Sequence, residues 1–137
     1  MAGKIINVIS QRFLSQSSMA GTNGYMEAIL AQGIDVSEWT EVTLVVRLLD
    51  KTITSTSSVE IFAQSEGRTS DDPSVQFVSS TKLGSVTMTS STVTPQCFLR
   101  SLGPNLGSAI RIMARNTFED DASAEALVNI DLTLKSS

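Results

Sequence analysis

Between Thr40 and Leu49 the chain reads TEVTLVVRLL, with a two-residue period. Val42, Leu44, Val46 and Leu48 fall on one side, and Thr43, Val45, Arg47 and Leu49 on the other. Successive strand side chains point to opposite faces, whereas an amphipathic helix needs apolar spacings of three and four. This segment is therefore a strand, and the pattern recurs. Glu125–Lys135 places Ala126, Val128, Ile130, Leu132 and Leu134 on one face, with Leu127, Asn129, Asp131, Thr133 and Lys135 on the other. Ser57–Ser65 alternates Val59, Ile61 and Ala63 with Glu60, Phe62 and Gln64; Ser108–Asn116 alternates Ile110, Ile112 and Ala114 with Arg111, Met113 and Arg115.

Shorter segments fill the gaps. Lys4–Ser10 and Gln96–Leu102 read as strands, and Val75–Ser80 with Gly84–Ser90 as a hairpin around STKLG. Tyr25–Gly33 is ambiguous: Met, Glu, Ala and Leu favour a helix, with Asn23 as cap and Gly33 as stop, yet the segment also alternates. Its strand neighbours tip it to strand. Ile34–Trp39, Glu66–Ser74, residues 103–107 and TFEDDAS read as turns or loops, and residues 15–24 as a small polar loop with an Asn-Gly signal. Ser and Thr make up about a quarter of the chain, and β-branched Thr, Val and Ile suit a pleated surface. Eight or nine short strands with turn signals between them predict an all-β fold: one antiparallel, jelly-roll-like β-sandwich. With 137 residues, a single domain is expected: a sandwich over 25–137, and an N-terminal arm and loop over 1–24 that orders on docking or joins the sandwich.

Several chemistries lack their residues. The chain has no His, so neither a Ser-His-Asp triad nor an ordinary zinc site can form. Asp71–Asp72 and Glu119–Asp121 are acidic clusters without the alternating spacing of a calcium loop, and read as solvated. LGPNLGSAI lacks the spacing and Lys of a phosphate loop. No metal, cofactor or catalytic residue is assigned, and no enzyme is expected. The net charge is −4, and the ten Lys and Arg are scattered singly, which argues against nucleic acid. No segment has the length of a membrane span or a signal peptide, so folding in the cytoplasm without processing and no membrane partner are expected. Cys97, the single cysteine, sits in the apolar context PQCFLRSL and reads as a small buried hydrophobe. Trp39 reads as a packing plug before its strand rather than a sugar platform; Tyr25 is the remaining candidate for stacking a sugar.

The outward side of the opening strand is the informative one. Val45 and Leu49 beside Arg47 are too apolar for a plain solvated face, so this face is covered or meets another subunit. Arg111 and Arg115 also lie within an alternating strand, where Arg snorkels to solvent or pairs with an acid, Asp131 being one partner. Val45, Arg47, Leu49, Arg111 and Arg115 form the candidate interface, with a neighbouring subunit as the favoured partner.

The segments IDVSEWTEVTLVVRLLD, VEIFAQSEGRTSDDPSVQF and ALVNIDLTLK carry a resemblance. They resemble small β-sandwich virion proteins of tailed bacteriophages, with an I-D-[VL]-S turn and a [VL]-x-L-x-V-R strand. An A-x-T-x-x-D-P-S type loop and a closing V-x-I-x-L-x-L-K strand follow. The likeness covers residues 30–80 and 108–135. It implies a structural role: a capsid decoration (cement) protein, or a minor head or tail component. Such a protein would act as a symmetric homo-oligomer on major capsid or other virion proteins, assembled in the host cytoplasm. The alternative is a carbohydrate- or receptor-binding module of a fibre, and a third reading is an unrelated cytoplasmic scaffold domain.

Overall fold

The computed structural model describes residues 3–15, 20–22, 25–54, 57–68, 76–103, 106–117 and 124–136, with backbone alone at 20–22, 25, 26, 68, 76 and 77. In chain order the strands are β1 (Gly3–Ser15), β2 (Ala20–Thr22), β3 (Tyr25–Asp35), β4 (Glu41–Thr52), β5 (Ser58–Arg68), β6 (Gln76–Thr89), β7 (Gln96–Ser101), β8 (Ala109–Asn116) and β9 (Glu125–Lys135). They form a four-stranded sheet, β1-β9-β4-β7, and a five-stranded sheet, β2-β3-β8-β5-β6, antiparallel throughout. With the three-residue β2 set aside, the remaining strands in chain order give sheets 1-8-3-6 and 2-7-4-5. That is the double Greek key of a jelly roll.

The alternation seen in the sequence sets the core. Val42, Leu44, Val46 and Leu48 of β4 and Ala126, Val128, Ile130, Leu132 and Leu134 of β9 are buried. They share one apolar cluster with Val59, Ile61 and Ala63 of β5, Ile110, Ile112 and Ala114 of β8, and Val86 and Met88 of β6. The ambiguous segment from Tyr25 is a strand, β3, bonded to β8.

The passage from β3 to β4 crosses between the sheets. Asp35 Oδ1 accepts the Ser37 amide at 2.9 Å and the Ser37 hydroxyl at 2.6 Å, and the Trp39 amide donates to the Val36 carbonyl at 3.1 Å. Trp39 then packs half-buried against the core. Ile34 and Asp35 belong to β3, so the turn begins later than the sequence predicts. The Thr40 amide donates to the Lys135 carbonyl at 3.0 Å, and the Leu102 amide to the Val42 carbonyl at 3.0 Å; these bonds tie down the start of β4.

Of the two readings of the N-terminal residues, Gly3–Ser15 takes the second and joins the sandwich: β1 is bonded along β9, because its backbone groups complete that sheet's edge. Three expectations are corrected. Residues 75–90 are no hairpin over their described part: β6 runs on through STKLG. Between Gln64↔Lys82 and Glu66↔Val78 it spends four residues where β5 spends two, a bulge that absorbs the polar STK. Glu66 is not a loop residue but lies in β5, almost fully buried, where its Oε1 accepts the Gly33 amide at 2.6 Å. Cys97 is exposed, because β7 is an edge strand on which only Phe98 is half-buried. The Asn-Gly turn, the loop from Thr69 to Val75 and the acidic residues Glu119–Asp121 lie outside the described residues.

Candidate docking face

A sandwich has two outward faces, and here they are finished differently. The outward face of the five-stranded sheet is built on Phe62 of β5. Its neighbours Ile61 and Ala63 point into the core, so Phe62 points away from it, yet it is only 1 % exposed. Register explains the cover. Phe62 lies opposite Met113, with Glu60 opposite Arg115 and Gln64 opposite Arg111. Lys82 of β6 lies 4.7 Å from the Phe62 ring centroid and Arg115 5.3 Å from it, two cation–π contacts. Both cations are held in place by acids. Lys82 Nζ is 2.6 Å from Glu60 Oε1, and Arg115 Nη2 is 3.1 Å from Glu27 Oε1. Arg111 Nε donates to Gln64 Oε1 at 2.9 Å. Long polar side chains thus roof an apolar centre with their own stems and heads.

The outward face of the four-stranded sheet has no such roof. Cross-strand register sets Ile5, Thr133, Thr43 and Ser101 in one row, Asn7, Asp131, Val45 and Leu99 in the next, then Asn129, Arg47 and Cys97. A bulge in β4 places Leu49 and Asp50 against Leu127, which faces Phe13. Ile5 is 70 % exposed, Leu99 62 % and Phe13 48 %, and Val45, Leu49 and Leu127 are half-exposed. Scattered surface apolars need no explanation, but a contiguous set marks an interaction surface. A shallow groove of ≈ 230 Å³ crosses it, lined by Glu41, Thr43, Val45, Leu99, Thr133 and Lys135.

Two charges at the centre of this face have no ion pair among the described residues. Asp131 accepts two neutral donors, Asn7 Nδ2 at 2.8 Å and Asn129 Nδ2 at 3.2 Å. Asn7 is itself held by the Ser10 hydroxyl, which donates to its Oδ1 at 2.7 Å. Arg47 is exposed and makes no hydrogen bond or ion pair among the described residues.

The five residues singled out in the sequence therefore divide. Val45, Arg47 and Leu49 come together on the open face, whereas Arg111 and Arg115 lie on the opposite side of the sandwich in the roof over Phe62. The expected partnership with Asp131 is replaced by Glu27 and Gln64, because the arginines of β8 and Asp131 of β9 are in different sheets. Sequence reading missed Ile5, Phe13 and Leu99 as members of the open face. Their signal was apolar residues on strands that become sheet edges, which one strand's pattern does not reveal. The Tyr25 side chain lies outside the described residues. Among the described residues no three His, Cys, Asp or Glu side chains gather as metal ligands. No protein-family model matches the chain, and no curated protein matches it.

Proposed function

We propose that this chain is a non-enzymatic structural protein of a virus particle, akin to those of tailed bacteriophages. It binds and stabilises the capsid or another virion component as a symmetric oligomer. The observation that carries this reading is the contrast between the two outward faces. The centre of one is closed over Phe62 by its own ion pairs and cation–π contacts, with Ile29 exposed beside Met113, and the other leaves Ile5, Leu99 and Phe13 exposed around Arg47 and Asp131, which form no ion pair among the described residues. An apolar face of this kind is what an assembly protein needs and what a monomer is better without. The jelly roll supports the reading as a scaffold that serves capsid proteins; it also serves lectins and cupins, so the fold alone does not choose among them.

The carbohydrate-binding alternative draws less support. Trp39 is used in packing, and the groove on the open face is lined by no aromatic residue, whereas sugar sites in sandwich modules stack on exposed rings. The test is to purify particles from the source on a density gradient and identify their proteins by mass spectrometry. The chain is expected in the particle band at a constant ratio to the major capsid protein. Its recovery only among free proteins would refute the particle role, and a saturable signal on a glycan array would favour the alternative.

A further inference from the structure

We infer that the open face of the four-stranded sheet is occupied by a second copy of this chain, docked face to face about a two-fold axis that pairs Arg47 of each copy with Asp131 of the other. This deepens the structural role proposed above by naming the surface and partner behind its symmetry.

The inference starts from register. Val45 lies opposite Asp131, and Arg47 opposite Asn129. Arg47 and Asp131 therefore occupy one diagonal of a four-residue square on adjacent strands, and Val45 and Asn129 occupy the other. Any two points on a face are exchanged by a two-fold axis lying in that face, midway between them and perpendicular to their separation. With that axis here, Arg47 of one copy sits over Asp131 of the other, and the symmetry makes the second pair at the same time. The other diagonal runs close to the axis, so Val45 meets the Val45 of its partner. Strands about 4.8 Å apart and residues about 3.4 Å apart make the two sets of strands cross at roughly 70°, in the orthogonal class of sheet packing.

Charge fits a second copy. While Glu41 and Lys135 lie opposite each other at the end of the face, its centre carries one uncommitted guanidinium and one carboxylate that holds only neutral donors. Each lacks in its own chain the opposite charge that the copy supplies. A partner of a single charge sign would satisfy one and repel the other. Four strands at about 4.8 Å spacing make a band about 19 Å wide, so two copies crossed at roughly 70° overlap over about 400 Å² in plan. This contact is smaller than the roughly 800 Å² per partner of a standard interface, with Ile5 and Leu99 in its apolar part.

The test is sedimentation equilibrium of the purified chain over a wide concentration range. The native chain is expected as a dimer. R47D and D131R should each weaken dimerisation about a hundredfold, since each faces like charges at both symmetric sites. The double variant R47D/D131R should recover most of the loss. Far-UV circular dichroism verifies that each variant is folded; should D131R disturb the Asn7–Asn129 network, R47D at an exposed position still tests the pairing. A native monomer at every concentration, or a dimer indifferent to R47D and to the double swap, overturns the inference. A monomer that nonetheless sits in the particle refutes the two-fold dimer and keeps the structural role; a dimer absent from particles does the reverse.

Discussion

Replacing Phe62 with Ala separates what the two faces do. Phe62 points away from the core and is still 1 % exposed, so its burial depends wholly on the roof of Lys82, Arg115 and Met113. Removing the ring forfeits about 1.5–3 kcal/mol of apolar transfer. Two partly exposed cations lose their π partner, at about 0.5–1 kcal/mol each. The cavity penalty that raises such losses in a rigid core is small here, because the roof consists of long side chains able to settle into the gap. Phe62→Ala should therefore cost about 3 kcal/mol. Phe62→Leu keeps most of the apolar burial and should cost about 1–1.5 kcal/mol, the cation–π share with a little repacking. Urea unfolding at one fixed protein concentration, followed by fluorescence of Trp39, measures both; this is the chain's single Trp. The association state of the folded protein should be unchanged, since the ring is already covered within its own chain. A loss below about 1 kcal/mol for Phe62→Ala would show that the ring is not sealed and that the contrast between the faces is wrong. A change in oligomer size would show that the five-stranded sheet carries an interface of its own.

Three further outcomes are expected. A Cβ on Gly84 would lie 2.9 Å from Leu102 Cδ2 and 3.3 Å from the Ser101 carbonyl oxygen, so Gly84→Ala should destabilise the sandwich by about 1–3 kcal/mol in the same urea assay; a neutral result would mean that β6 and the end of β7 are not in close contact. Cys97 is exposed in the single chain, so at concentrations low enough to keep the chain monomeric its thiol should react with a disulfide reagent as fast as it does in urea, and Cys97→Ser should leave stability within about 0.5 kcal/mol; protection of the thiol in the folded monomer would restore the buried reading. The Asp35 carboxyl is held below its ordinary value of 3.8, first by the Ser37 hydroxyl and then by the Ser37 amide. A depressed carboxylate contributes stability that is fully present above its unfolded value and is lost as pH falls through the folded one, so the turn should loosen only below about pH 3.8; an NMR midpoint for Asp35 at or above that value would refute the hydrogen-bonded turn.

The fold was legible because alternation is a local property. The inner faces of β4, β5, β8 and β9 can be named from single strands, and each became core. What could not be read depends on the neighbouring strand. Apolar Cys97 looks buried until β7 proves to be an edge that offers the core little besides Phe98. STKLG has the composition of a hairpin turn, but Gln64–Glu66 on the partner strand takes it up as a bulge. Glu66 opens a run of Gly, Asp and Pro that resembles a loop, yet its carboxylate is needed inside to receive the amide of Gly33, whose φ is +65°. The N-terminal residues look like an arm because their apolar block is short; β9 has a free edge for them to pair with.

The two outward faces make the same point about the candidate site, since both contain arginines within alternating strands together with acids on neighbouring ones. Composition does not separate them; register does. Between β3 and β8, Arg115 falls opposite Glu27, and between β5 and β8, Arg111 falls opposite Gln64, so charge and amide partners meet within the chain and Phe62 is closed over. Between β4 and β9, Arg47 falls opposite Asn129 and Asp131 opposite Val45. A slip of two residues would bring Arg47 opposite Asp131 and keep every inward residue inward, because only a one-residue slip exchanges the faces. The apolar pattern therefore permits the neutralised arrangement. What forbids it is the start of β4, where Thr40 is bonded to Lys135, Leu102 to Val42, and the Asp35–Trp39 turn sets the crossing between sheets. Those bonds hold the opposite charges one diagonal apart on an apolar field. Within one chain that offset leaves both without an ion pair; across the proposed two-fold axis the same offset would satisfy both.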